Sequence, residues 1–127
     1  MNRRLAAILA ADVVGYSRLI REDEAGTLAA VKSHREELIE PKVGEHNGRI
    51  VKLMGDGLLI EFHSAVAAVH CAVEIQQLIG DHNAALPEEK RVTYRIGINI
   101  GDIVVEDDDI LFEDGDFFDI ILLLVVL

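Results

Sequence analysis

The stretch that decides the fold is RLAAILAADVVGYS, residues 4–17. Residues Arg4 to Asp12 are apolar almost throughout, which is the pattern of a strand buried on both faces. The apolar run stops at the carboxylate of Asp12, and Gly15 then allows a sharp turn. A strand that ends in this way places a charged group at the edge of a sheet, so its end is the first candidate for a functional site.

A second acid occupies the same kind of position. Arg49–Met54 and Leu58–Phe62 read as two strands joined by the turn Gly55-Asp56-Gly57, since glycines accept the positive φ of tight turns. If this hairpin lies beside the first strand, Asp12 and Asp56 meet at one edge. Two neighbouring carboxylates repel unless a proton or a cation compensates them. Oxygen ligands with few histidines favour Mg²⁺ or Mn²⁺ over zinc, although each acid alone could simply cap a turn.

Helices fill most of the chain between these strands. Tyr16–Arg21 predicts a short helix, and Asp23 predicts the N-cap of a longer one that Pro41 bends or ends. The remaining predicted features are a helix from the cap Ser64 to about Ile79 with its apolar face at Val66, Val69 and Val73, a strand over Val92–Asn99, and a turn at Gly101-Asp102 into Ile103–Glu106. We therefore expect an α+β fold, within the broad α/β class, with a mostly antiparallel sheet and helices packed on it.

Composition limits the partners. The chain has 127 residues, enough for one domain, and half of them are hydrophobic. A net charge of −11 argues against nucleic acid, although metal ions could supply the positive charge that a nucleotide needs. The single cysteine, Cys71, lies in a helical pattern and is expected to be buried. The apolar run Ile120–Leu127 is too short to span a membrane, which takes about 20 residues; it could be a strand or a helical piece. We expect a cytoplasmic protein.

The residues after Asp12 suit a phosphate. They are Val14, Gly15, Tyr16 and Ser17. Backbone N–H groups at a helix start bind phosphate oxygens, and the missing side chain at Gly15 lets such a group approach.

Three stretches carry a resemblance to a known family: LAADVVGYSRL, NGRIVKLMGDGLLIEF and YRIGINIGDIVVEDDDI. Over residues 4–110 the chain resembles the class III nucleotide cyclase catalytic domain and looks most like bacterial adenylate cyclases. The resemblance implies a ferredoxin-like core that forms a head-to-tail homodimer with catalytic sites at the interface. It also implies conversion of ATP to 3′,5′-cyclic AMP and pyrophosphate by a two-metal mechanism.

The resemblance also implies roles for single residues. Asp12 and Asp56 match the two aspartates that bind two Mg²⁺ or Mn²⁺ ions per site, and the backbone carbonyl of Val13 matches a further metal ligand. Val14 to Ser17 match the phosphate-binding turn, and Arg95 matches an arginine that contacts the phosphates.

For the base, the resemblance implies that Lys52 and Asp109 form the adenine-reading pair. Lysine can donate to adenine N1, and a carboxylate can accept from the 6-amino group. The neighbouring Asp107 and Asp108 leave the choice of aspartate open by one or two positions.

The match fails after Ile110. The family continues with a helix whose asparagine and arginine stabilise the transition state, whereas this chain has no asparagine after Asn99 and no arginine after Arg95. We therefore expect residues 1–127 to form a single, incomplete cyclase domain, with an atypical acidic loop and apolar tail over residues 107–127. A divergent or truncated homologue, an altered tail and a non-catalytic partner are all compatible with this pattern.

Two other functions compete with a cyclase. The first is a weak or inactive cyclase-homology domain that acts as a nucleotide-binding and dimerisation module. The second is a phosphohydrolase that uses Asp12, which is disfavoured because such enzymes usually carry another acid two residues later, where this chain has Val14.

Overall fold

The fold is built around its first strand. The computed structural model describes residues 2–106, 109–112 and 122–125, and the side chains of residues 5–101. Its elements, in chain order, are β1 (Asn2–Val13), α1 (Tyr16–Glu22), α2 (Glu24–His34), a π-helical segment (Arg35–Ile39), α3 (Glu40–Glu45), β2 (Arg49–Met54), β3 (Gly57–Phe62), α4 (Ala65–Ala84), a 3₁₀ turn (Glu88–Lys90), β4 (Tyr94–Glu106), β5 (Asp109–Phe112) and β6 (Leu122–Val125).

The strands form one sheet in the order β2-β3-β1-β4-β5, and β6 pairs with β4. Every pairing between the described strands is antiparallel. Helices connect β1 to β2 and β3 to β4, so the first four strands and their helices have the ferredoxin-like arrangement. This confirms the expected α+β fold with a mostly antiparallel sheet.

The two faces of the sheet differ. Alternate β1 residues, from Ala7 to Val13, pack into the larger core together with α4. The opposite face carries a smaller cluster of Ala6, Ile8 and Leu59. Because side chains alternate along a strand, Asp12 lies on the same face as Ala6 and Ile8, which we call the helix-free face because none of the described helices packs on its cluster. The end of β1 therefore presents its carboxylate on the face that the four helices leave open.

Helix α4 begins as predicted but buries a different face. The Ser64 hydroxyl accepts a hydrogen bond from the amide of Ala67, 3.1 Å away. The predicted apolar face was correct only at Val69, which packs against the larger core, because Val66 is 65% exposed and Val73 37% exposed. The buried face is instead made of Ala68, Cys71, Ala72, Ile75 and Ile79. Its small residues let the helix approach the sheet closely, and burial raises the pKa of the Cys71 thiol to about 12.

The N-terminal helices also depart from expectation at one point. Asp23 caps α2 as predicted, with its Oδ1 accepting from the Gly26 amide at 3.0 Å. Pro41 does not end the helical path, which passes through the π-helical segment and continues to Glu45. Proline is tolerated in the first turn of a helix, and the wider π turn before it accommodates the change in hydrogen bonding.

Strand β4 is longer than its sequence pattern indicated. The turn predicted at Gly101-Asp102 is wrong, because β4 runs without interruption to Glu106 and pairs with β1 along its length. Of the apolar tail, Leu122–Val125 forms a strand beside Arg95–Ile98. The rest of the acidic loop and tail, residues 107–108, 113–121 and 126–127, lies outside the described residues.

Among the described helices, none combines the length and apolar character needed to cross a bilayer.

A buried polar contact joins α2 to β4. The Nδ1 atom of His34 lies 3.0 Å from the hydroxyl of Tyr94, and the His82 ring packs edge-on against His34 at 5.1 Å. Burial, and secondarily the charge of His82, lower the pKa of His34. The folded protein therefore favours neutral His34.

The unfolded chain binds this proton more readily than the folded protein does. The contribution of neutral His34 to the free energy of unfolding is therefore fully present above pH 6.5, the ordinary pKa of histidine, and it decreases as the pH falls below that value. Urea unfolding of the wild type at pH 7.5 and 5.5 should show this loss. His34→Gln should flatten this part of the pH dependence, whereas His70→Gln, at an exposed position on α4, should keep the wild-type slope. An equal slope in His34→Gln and wild type would contradict the assignment.

Candidate active site

The carboxylate at the end of β1 forms an ion pair across the sheet. The register of β1 and β4 places Asp12 directly opposite Arg95. Arg95 donates from Nε to Oδ1 at 3.1 Å and from Nη2 to Oδ2 at 2.9 Å. Asp12 raises the pKa of Arg95, and both side chains remain partly exposed, Asp12 by 39% and Arg95 by 59%. The accessible Asp12 carboxylate is thus already paired with one positively charged group, the guanidinium of Arg95.

The second carboxylate is fixed to the same end of β1. Oδ2 of Asp56 accepts a hydrogen bond from the backbone amide of Val13 at 3.1 Å. The turn that carries Asp56 begins with Gly55 at φ 56°, a conformation that glycine adopts without strain. The structure therefore brings Asp12 and Asp56 to one edge of the sheet, as the sequence predicted.

The turn after β1 is exposed, and its glycine has a left-handed backbone conformation. Gly15 has φ 66° and precedes α1 as its N-cap. The side chains of Val14 and Ser17 are exposed and Tyr16 is half-buried. The Val14 amide donates to the Thr93 carbonyl at 2.9 Å, so this N–H is already engaged in the described structure.

Arg18 is a further residue at this turn, and it was not predicted from the sequence. A Cβ atom built at Gly15 would lie 3.4 Å from a terminal guanidinium nitrogen of Arg18, so a second guanidinium lies beside the turn. Arg18 also pairs with Glu22 at 3.4 Å, one helical turn later. The signal was present as the arginine that directly follows VVGYS.

The predicted base-reading residues lie on two other strands. Lys52 is exposed on β2 and pairs with Leu59 just after an irregularity in the register, and Leu59 pairs in turn with Ala10. Directly opposed residues share a face, so Lys52 lies on the helix-free face with Asp12. Asp109 begins β5 opposite Glu106, at the end of β4 away from Arg95.

Strand β5 also approaches β2, to within 8 Å between Cα atoms. The strands that carry Lys52 and Asp109 are therefore close to each other, while the side chain of Asp109 and the whole of residues 107–108 lie outside what is described.

The donor set at the end of β1 fits a hard divalent cation. Asp12 and Asp56 offer carboxylate oxygens and Val13 a backbone carbonyl, which are the ligands that Mg²⁺ and Mn²⁺ prefer. The Arg95 guanidinium that pairs with Asp12 shows that this position accommodates a positive charge.

A second group of potential ligands already contains a lysine. Ligand atoms of Glu45, His46 and Glu74 lie within 4.8 Å of one another. Lys42 Nζ lies 2.8 Å from Glu45 and 3.2 Å from Glu74, and this contact lowers the pKa of Glu74. We interpret this group as an ion-pair network that joins α3 to α4.

The chain is similar to proteins that are named as nucleotide cyclases. The chain is 53% identical over 115 residues to a Rhizobium meliloti protein named "Putative adenylate cyclase 3"; this covers 91% of the chain and 19% of that protein. The crystal structure of an adenylate/guanylate cyclase/hydrolase from Silicibacter pomeroyi matches with a TM-score of 0.83 and 50% identity, over 90% of this chain and 66% of that one.

The structure of the guanylyl cyclase Cya2 is also similar, with a TM-score of 0.70 and 25% identity over 98% of this chain and 64% of that one. No protein-family profile matches the chain. The chain belongs to the class III adenylate/guanylate cyclase domain family, as its three motifs predicted, and spans about a fifth of the length of the Rhizobium relative.

The position of the Asp56 turn depends on a close approach at Gly57. A methyl group there would lie 3.2 Å from the carbonyl oxygens of both Ala11 and Met54. Gly57→Ala should destabilise the protein by about 1–3 kcal/mol, because neither backbone can move without disturbing the sheet.

The matched control is Gly44→Ala in α3, where a Cβ atom meets nothing within 4 Å. Alanine should be neutral there or stabilising by about 0.5 kcal/mol, because it orders the helix at a lower entropic cost. Urea unfolding measures both variants, and equal effects would rule out the packing constraint.

Proposed function

We propose that this chain is the catalytic domain of an adenylate cyclase that converts ATP to 3′,5′-cyclic AMP and pyrophosphate. The observation that carries the proposal is the hydrogen bond from the Val13 amide to Asp56, which fixes the second carboxylate beside Asp12 at an exposed edge. Exposure matters because the triphosphate must reach both carboxylates. The cyclase names of the similar proteins support the same reaction class.

In this proposal Asp12, Asp56 and the Val13 carbonyl hold two Mg²⁺ or Mn²⁺ ions. When bound, such ions make the ribose 3′-hydroxyl a better nucleophile and neutralise the charge that develops on the leaving pyrophosphate. The chain's own contribution is to fix the two carboxylates through the sheet register and the Asp56–Val13 bond. That fixation preorganises the two carboxylates, because neither has to move when substrate binds.

The phosphates are oriented by Arg95 and by the turn Val14 to Ser17. Because the Val14 amide is engaged by Thr93, the amides of residues 15–17 are the donors we assign to the phosphate oxygens. Arg18 adds a positive charge beside Gly15. These two guanidinium groups offset part of the repulsion that a chain of net charge −11 exerts on a triphosphate.

We assign adenine recognition to Lys52 with Asp109, supplied by the second subunit of a homodimer. Strands β2 and β5, which carry Lys52 and Asp109, approach each other, and this supports the two residues acting as a pair. Asp12 and Asp56 belong to the other half of the composite site. A head-to-tail dimer would bring the two halves together, so activity should depend on protein concentration.

The second candidate function is a nucleotide-binding and dimerisation module with little or no turnover. The sequence observation that favours it is that residues 100–127 contain neither an asparagine nor an arginine. Fixed donors of this kind can contribute about 3–4 kcal/mol to a transition state, so their loss slows a reaction by orders of magnitude.

The metal assignment predicts that Asp12→Asn or Asp56→Asn lowers Mn²⁺-dependent cyclic AMP formation by about 100-fold or more, because each removes a carboxylate ligand. Asp81→Asn, on the exposed surface of α4, is the matched control and should leave the rate unchanged. Cyclic AMP is quantified by chromatography. Wild-type turnover in either site variant would exclude its proposed role.

The base assignment predicts that Lys52→Glu shifts preference from ATP toward GTP. Guanine presents a carbonyl at position 6 and a protonated N1, which a carboxylate can accept from and an ammonium cannot. We expect the ratio of ATP to GTP turnover to fall by about ten-fold or more. Lys32→Glu, exposed on α2, makes the same charge change away from the site, and an unaltered ratio in Lys52→Glu would remove Lys52 from base reading.

A further inference from the structure

Arg95 and the proposed metal compete for the same carboxylate. We propose that Arg95 is an exchangeable counter-ion that couples phosphate binding to metal binding at Asp12. Without nucleotide the guanidinium pairs with Asp12 and weakens its affinity for a divalent cation. A phosphate group draws the guanidinium away and releases the carboxylate. This inference rests on the proposed function of the site.

The geometry of the ion pair is the first support. Arg95 uses two nitrogens and engages both carboxylate oxygens of Asp12, at 3.1 and 2.9 Å. A cation that ligates either oxygen must therefore displace or share an existing hydrogen bond. The register fixes the two backbones opposite each other, so the pair re-forms whenever the site is empty of competing ligands.

The exposure of Arg95 is the second support. Its side chain is 59% exposed, so a guanidinium on a long flexible stem can leave Asp12 without disturbing the core. Guanidinium binds phosphate with the same bidentate geometry that it uses for carboxylate. Exchange from Asp12 to a phosphate thus replaces one good partner with another.

The contrast with Asp56 locates the coupling at one carboxylate. Asp56 accepts its hydrogen bond from a backbone amide, which carries no net charge. That bond orients the carboxylate without neutralising it. Both acids raise the pKa of Arg95, but of the two it is Asp12 that forms the bidentate pair with the guanidinium in the described structure.

The coupling is reciprocal by thermodynamic necessity. If phosphate raises the affinity of the site for the metal by some factor, the metal raises the affinity for phosphate by the same factor. The device would keep the site from being filled by metal alone and would favour joint binding of metal and nucleotide. We expect a factor of about five or more, the lower end of typical coupling between sites.

The test measures Mn²⁺ binding to the whole chain by electron paramagnetic resonance of the free ion, with no nucleotide present. Wild type should bind weakly, and Arg95→Gln should bind at least about five-fold more tightly. Arg21→Gln, at an exposed position in the last turn of α1, removes the same charge elsewhere and should match wild type. Should Arg95→Gln not fold, Arg95→Lys, which loses the bidentate geometry, should also bind Mn²⁺ more tightly than wild type.

A second arm adds inorganic phosphate, with a protein-free titration to correct for the manganese that phosphate itself binds. Phosphate should raise the Mn²⁺ affinity of wild type by a larger factor than that of Arg95→Gln, in which the turn Val14 to Ser17 and Arg18 can still bind phosphate. Equal Mn²⁺ affinity in wild type and Arg95→Gln, with binding still lost in Asp12→Asn, would overturn the exchange and leave the metal site intact. If Asp12→Asn binds Mn²⁺ as tightly as wild type does, Asp12 is not a metal ligand, and this part of the proposed function is wrong.

Discussion

The structure depends on the register of one strand. Strand β1 is hydrogen-bonded to β3 on one side and to β4 on the other. That double pairing puts Arg95 opposite Asp12 and leaves the Val13 amide to donate a hydrogen bond to Asp56. A shift of one residue would turn Asp12 into the core and bury its charge, which is costly. The same register that builds the core therefore also builds the site.

Much of this could be predicted from local pattern. The apolar run that stops at Asp12 and the glycine-flanked turn at Asp56 indicate where the two strands end, because hydrophobic periodicity and turn residues are local properties of the sequence. The orientation of α4 could not be predicted in the same way. Two apolar stripes compete on that helix, and the buried one combines Ala68, Cys71 and Ala72 with Ile75 and Ile79, whereas Val66 and Val73 are exposed.

Long-range contacts were the least accessible to sequence reasoning. The ion pair between Asp12 and Arg95 and the contact between His34 and Tyr94 join distant residues, and each requires a known register or helix orientation. Arg95 was expected to meet phosphate, yet in the structure it meets the carboxylate proposed for the metal. The two roles are compatible because a guanidinium binds carboxylate and phosphate with the same bidentate geometry.

The central claim is that the edge formed by Asp12, Asp56 and the turn at Gly15 turns over ATP. The most direct measurement incubates the purified chain with ATP and Mn²⁺ and quantifies cyclic AMP and pyrophosphate together, with an EDTA-treated sample as reference. We expect equal amounts of both products, formed only with the metal present. Bound ATP without either product would contradict a catalytic role and would identify the chain as a nucleotide-binding module.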